Sequence, residues 1–326
     1  MRAAGSRAAE AGRGIKKALG ERVVGQTEVV DLMLTALLAR GHALLVGVPG
    51  LAKTLLVSSL AEALGLTFGR VQFTPDLLPA DITGTDVLHE EDDGKGGTRR
   101  RLRFLAGPIF HNLVLADEIN RTPPKTQSAL LEAMEERQVT AEGVARALPD
   151  PFVVIATENP VEHEGTYPLP EAQLDRFFMQ INVDYPSLEA ERRMIIATTT
   201  GTEARPERVL DGATLAGMQR LVRRMPIGEQ LIELILRLVR SGRPENEALP
   251  GLAQQVAWGP GPRASQALTL CARARALYEG RLAPSIDDVK ALAEPVLQHR
   301  MALTFAARAD GMTIDQLIGK ARARVG

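Results

Sequence analysis

A chain of 326 residues is longer than one compact domain usually needs, so two domains are expected. Thirty-nine Lys and Arg stand against 40 Asp and Glu, and aromatic residues make up only 4%. That balance excludes the basic excess through which non-specific nucleic-acid binders neutralise phosphate, and it leaves few rings for stacking bases.

Hydrophobic residues at 45% with so few aromatics imply an aliphatic core of Leu, Val, Ile and Ala. No run approaches the roughly 18 apolar residues of a membrane helix. The lone cysteine, Cys271, lies in an apolar stretch and cannot form an internal disulfide. It reads as a buried structural thiol in a reducing, cytoplasmic setting. Residues 1–14, rich in Ala, Gly and Arg, lack the apolar segment of a signal peptide. They read as a flexible tail or as the start of a leading helix.

From residue 15 to about 187 strands and helices alternate, the pattern of a three-layer α/β domain around a mainly parallel sheet. The apolar run 43–46 ends in Gly47, and helical periodicity begins at Lys53, giving strand, loop and helix. A hairpin is expected over 86–104, with Gly94-Lys95-Gly96 at its tip and Glu90-Glu91 facing the basic run 99–101. That charge run reads as cross-strand pairing on a solvated surface. Buried strands follow at 113–116 and 152–156, with a helix over 125–137 and a second hairpin over 138–148, tipped by Glu142-Gly143. From 188 to the end the periodicity is helical, with no strand expected. Residues 227–240 carry Leu231, Leu234, Ile235 and Leu238 on one face before Gly242. Ser285-Ile286-Asp287-Asp288 reads as a capping box.

The strongest chemical signal is Gly47-Val48-Pro49-Gly50-Leu51-Ala52-Lys53-Thr54. Between a strand and a helix, such a loop turns its backbone N–H groups onto an anion. Lys53 is then expected at the β- and γ-phosphates of ATP, and the Thr54 hydroxyl on Mg²⁺. Ala52 departs from the Gly expected before the Lys. The second signal is Leu113-Val114-Leu115-Ala116-Asp117-Glu118, since two carboxylates at a buried strand end need a cation or a reaction to use them. Asp117 is expected in the Mg²⁺ shell and Glu118 on the attacking water. Asn159 ends a third buried strand, where it could equally turn the chain before Pro160.

In this order the motifs resemble the MoxR branch of AAA+ ATPases. Ala116-Asp117-Glu118-Ile119-Asn120-Arg121-Thr122-Pro123-Pro124-Lys125 and the stretch 164–177 carry the likeness, as do residues 73–84. The resemblance implies that Val24 and Gly25 belong to an adenine-side box, and that Leu55 joins the loop in contacting nucleotide. It also implies that Asn159 is a sensor, Arg176 an arginine finger reaching a neighbouring subunit, and Arg263 a second sensor on the helical lid. Glu158 stands where the family more often has Gln. No metal cluster beyond the Mg²⁺ site is expected, and His111 and His163 read as structural or surface residues. The expected whole is an ATP-hydrolysing homo-oligomeric ring, a hexamer by resemblance, that remodels a client protein. A von Willebrand factor A-type partner is implied; nucleic acid is not. The alternatives are a magnesium-chelatase-like motor subunit and a nucleotide-gated scaffold without significant turnover.

Overall fold

The computed structural model describes residues 2–20, 22–92, 98–141, 143–162, 165–199, 206–245 and 250–325. The expected hairpin tips at Gly94-Lys95-Gly96 and Glu142, together with His163 and Glu164, lie outside the described residues.

The chain opens with α1 (Arg2–Gly20) and α2 (Thr27–Leu38), then β1 (His42–Val46), α3 (Lys53–Ala63) and β2 (Phe68–Gln72). A short helix, α4 (Pro79–Thr83), leads into the hairpin β3 (Gly84–Asp92) and β4 (Thr98–Ala106). Next come β5 (Leu113–Asp117), α5 (Pro124–Glu136), the hairpin β6 (Gln138–Ala141) and β7 (Val144–Ala147), then β8 (Val153–Glu158). The short α6 (Glu171–Leu174) and β9 (Phe177–Asn182) complete the core.

Five strands form one parallel sheet in the order β2-β5-β8-β1-β9. Alternation along each strand sends side chains to opposite faces. Leu45, Leu113, Leu115, Val153 and Ile155 pack with α2 and α3, whereas Leu44, Val114, Ala116, Val154 and Ala156 pack with Leu130, Leu131 and Met134 of α5. The three-layer core follows. Parallel register then lines up the carboxyl ends, with Gln72 beside Asp117 and Val46 beside both Glu158 and Asn182. In open parallel sheets this edge is where ligands bind.

The first hairpin pairs Glu90 with Arg100 across the strands, and their side chains meet at 2.7 Å. Arg146 of β7 stacks on Phe104 of β4, 3.8 Å from the ring centre, so the two hairpins touch.

The amino terminus is not a tail. Helix begins at Arg2, and Ala8, Ile15 and Leu19 are buried. The small residues that resemble a mobile segment in composition form a close-packing seam: a Cβ on Gly12 would lie 3.1 Å from the Tyr278 carbonyl oxygen. Lys16 pairs with Asp31 at 2.7 Å and sits over the Tyr278 ring.

Beyond β9 lie α7 (Leu188–Thr199), α8 (Gly212–Arg224), α9 (Glu229–Ser241) and the short α10 (Pro250–Ala253). After β10 (Val256–Trp258) come α11 (Pro262–Tyr278) and α12 (Ile286–Leu297). β11 (Ala302–Leu303), α13 (Phe305–Ala309) and α14 (Ile314–Val325) close the chain. The lid is therefore not entirely helical, because β10 and β11 pair antiparallel. Three- and two-residue strands are too short to show a period. The Ser285–Asp288 capping box forms as expected, and buried Asp288 also takes two bonds from Arg281 at 2.5 and 2.6 Å. Cys271 is buried, and burial pushes its thiol up to about 12, which fits a structural role.

Candidate active site

The loop after β1 is shaped by its glycines. A Cβ on Gly47 would meet the Val183 carbonyl oxygen at 2.4 Å, so only glycine fits there. The Gly47 N–H donates to the Glu158 carbonyl at 3.2 Å, which ties the loop to β8. Gly50 and Ala52 both adopt left-handed backbone, with φ of 87° and 54°. Glycine does so freely, whereas alanine is strained. Ala52 thus keeps the glycine-like geometry at a cost. Among the described residues, the N–H groups of Val48, Gly50, Leu51 and Ala52 donate to no backbone carbonyl. With the amino end of α3, whose first turn holds Thr54 and Leu55, they form an anion cradle.

Lys53 folds back so that its ammonium donates to the Gly47 carbonyl. Burial lowers its pKa, and the charges of Asp117 and Glu118 oppose that shift. The cation and the two carboxylates share one small space. Val24 and Gly25 join α1 to α2, and Gly25, at φ 87°, packs so closely that a Cβ would lie 2.6 Å from Ala190 of α7. The box thus sits where core meets lid.

Thr157 organises the carboxylates. Its hydroxyl donates to Asp117 at 2.7 Å and accepts the Glu118 N–H at 2.8 Å. The other oxygen of Asp117 takes two bonds from Arg70, at 2.7 and 3.2 Å. Glu118 adopts φ 59° and accepts from Gln72 at 2.8 Å and Arg121 at 2.9 Å. Sequence reasoning missed these partners. The only signal for Arg70 and Gln72 was a pair of polar residues two apart at the end of an otherwise half-buried strand; Arg121 lay in the stretch after Asp117-Glu118 with no role expected of it. Glu158, at the end of β8, has its carboxyl pushed up by burial. Asn159 is buried, and its side-chain oxygen accepts the Val161 N–H at 3.2 Å. It does turn the chain.

Arg176 and Arg263 are elsewhere. Phe177 pairs with His42 at the amino end of β1, so Arg176 lies about 15 Å along the sheet from Gly47, at the opposite edge. Arg176 donates to the Leu131 carbonyl at 2.6 Å and pairs with Glu135 at 3.0 Å. Arg263, in the first turn of α11, pairs with the other Glu135 oxygen at 2.6 Å. The two arginines, expected at separate places, stand together on one carboxylate. They line a cleft of about 680 Å³ whose walls also carry Arg137, Arg223 and Arg273. A cavity of about 990 Å³ between α1 and α8 involves none of these residues.

A parallel sheet with a phosphate-type loop, a carboxylate pair at the next strand end and a helical lid define a P-loop ATPase of the AAA class. Residues 42–179 match the ATPase family associated with various cellular activities, and residues 252–321 match the AAA lid domain. Chaperone MoxR1 of Mycobacterium tuberculosis is 43% identical over 299 residues, covering 91% of this chain and 77% of the relative. Protein MoxR of Paracoccus denitrificans is 33% identical over 310 residues, covering 90% and 88%. A crystal structure from Cytophaga hutchinsonii superposes with a TM-score of 0.87 at 37% identity, over 98% of this chain and 97% of that one. The chain belongs to the MoxR family of AAA+ ATPases.

Proposed function

We propose that this protein binds ATP with Mg²⁺ and hydrolyses it in a closed ring of identical subunits, using the turnover to remodel a partner protein. The observation that carries the reading is the division of the site between two edges of one sheet. The cradle, Lys53, Asp117 and Glu118 occupy the carboxyl edge, while Arg176 stands near the other, with Arg263 of α11 beside it on Glu135. Residues some 15 Å away cannot serve their own loop, but they can serve a loop brought up by a neighbour.

The donor set suits the ligands. Thr54 and Asp117 would hold Mg²⁺, which when bound neutralises charge on the phosphate oxygens. Lys53 would move from the Gly47 carbonyl to the β- and γ-phosphates, exchanging a neutral acceptor for a charged one. Glu118 would leave Gln72 and Arg121 to orient water, with the Asn159 amide beside it. Val24 and Gly25 would flank the adenine at the junction of core and lid.

Client engagement is supported by the first hairpin, where Leu88 and Leu102 pair across the strands while 59% and 70% exposed. Apolar side chains held outward in this way favour another protein surface. The name of the mycobacterial relative, a chaperone, agrees with that. By resemblance the ring is a hexamer, the partner carries a von Willebrand factor A-type domain, and the compartment is the cytoplasm. Among the described residues no helix is long and apolar enough to cross a membrane.

The test is phosphate release from ATP with Mg²⁺, measured over a range of protein concentrations beside Lys53→Ala. Release that rises steeply with concentration and vanishes in the variant is the expected result. Binding of ATP with no release at any concentration would leave the nucleotide-gated scaffold instead.

A further inference from the structure

Among the described residues, Glu135 is the one acidic group that Arg176 and Arg263 share. It lies in the last turn of α5, and its two oxygens go to different guanidinium groups, at 3.0 Å for Arg176 and 2.6 Å for Arg263. Arg176 is gripped a second time by the Leu131 carbonyl, one helical turn earlier. The carboxylate is 39% exposed, so it is open to competition by solvent and ligands. The Arg263 hydrogen bond, with the charges of both arginines, holds its carboxyl below the usual range.

The surroundings are cationic. Among the described residues Arg223 and Arg273, on the walls of the same cleft, make no ion pair, and the Arg273 Nε is buried without a partner. A cleft of this kind attracts an anion richer in charge than one carboxylate. Two guanidinium groups converging on two oxygens also match phosphate geometry, which presents more oxygens and more charge.

We propose that Glu135 is a placeholder for the γ-phosphate of the neighbouring subunit's ATP. In the free chain it holds Arg176 and Arg263 together. When a neighbour presents its triphosphate, both arginines transfer from Glu135 to the phosphate oxygens, and Glu135 turns to water. Glu135 is thus a positioning residue, and the strength of its hold sets how much ATP the ring needs to close. The inference rests on the reading of Arg176 as acting on a neighbour's nucleotide.

The experiment measures assembly by sedimentation velocity across an ATP titration, with phosphate release in parallel, for the wild type, Glu135→Gln and Arg176→Ala. Glu135→Gln removes the competing charge from an exposed helix position and leaves the fold intact. It is expected to lower the ATP concentration for half-maximal assembly by about tenfold, since a charge-assisted contact no longer has to be broken. A purely structural Glu135 predicts the opposite sign, because loosened arginines would raise the ATP requirement. An unchanged or raised requirement in Glu135→Gln, with Arg176→Ala inactive in hydrolysis, overturns the placeholder alone. Parental hydrolysis by Arg176→Ala overturns the trans-acting reading beneath it.

Discussion

Gln72 and Glu118 are joined by a 2.8 Å hydrogen bond between the ends of two adjacent strands. With Arg121 at 2.9 Å on the same oxygen, it holds the carboxylate in a resting position. Glu118→Gln should keep ATP binding and lower phosphate release by at least ~10²-fold, because an amide cannot polarise water. Gln72→Ala should leave ATP binding unchanged and raise release a few-fold, since one bond fewer must break. A thermal-shift titration beside a phosphate assay reads both, and parental turnover by Glu118→Gln would remove it from the mechanism.

Arg176→Ala should bind ATP normally and hydrolyse it ~10³–10⁵ times more slowly, the range for a guanidinium placed on the transferring phosphate. Lys53→Ala keeps Arg176 but lacks the phosphate cation. Mixing the two variants should restore part of the activity, because each mixed interface can pair an intact loop with an intact arginine. The rate is followed against mixing ratio, with sizing to confirm mixed rings. Mixed rings with no gain in rate would make Arg176 an ion-pair partner of Glu135 and nothing more.

Ala52 carries backbone strain in a loop where Gly50 carries none. Ala52→Gly should therefore hold or raise the melting temperature, by no more than about 1 kcal/mol of stability, and still bind ATP. Gly50→Ala should lower both stability and ATP affinity, because its φ of 87° strains any side chain. Calorimetry of the two variants decides, and a clear loss of stability in Ala52→Gly contradicts the left-handed assignment.

Asp288 gives the lid an acid-sensitive joint. Burial alone would raise its carboxyl, but the Arg281 hydrogen bonds and charge, with the Ser285 N–H, outweigh burial and leave it below the usual value. A depressed carboxylate stabilises the fold above its unfolded pKa of about 3.9, and that contribution is lost as pH falls through the lower folded value. Arg281→Met should cost about 2 kcal/mol at pH 7, less than a fully buried pair because Arg281 is 37% exposed. The difference from wild type should shrink below pH 4 in chemical-denaturation curves. A constant difference across that range would show that Arg281 acts through packing instead.

Much of this was legible in the sequence, for physical reasons. The strands at 113–116 and 152–156 read as buried because a parallel sheet covered on both faces has no polar alternation. The loop 47–54 and Asp117-Glu118 were legible because their chemistry is local. Arg70, Gln72 and Thr157 were not, because their roles come from strand register between segments 40 to 47 residues apart. The meeting of Arg263 with Arg176 was hidden for the same reason: it depends on how the lid lies against the core. Composition left α1 open between a tail and a leading helix, because the Ala and Gly that serve close packing there also suit a mobile segment.

That first helix has a mechanical consequence. α1 touches α2 and α3 of the core and α11 of the lid, and its buried Ile15 and Leu19 belong to one continuous apolar cluster that spans both. Swinging the lid off the core would expose those side chains at about 1.5–3 kcal/mol each, before any lid residue is counted. The helix acts as a rivet through two plates. A chain fastened in this way behaves as a stiff link, and the proposed ring is expected to flex at the joints between links, where the proposal places Arg176 and Arg263.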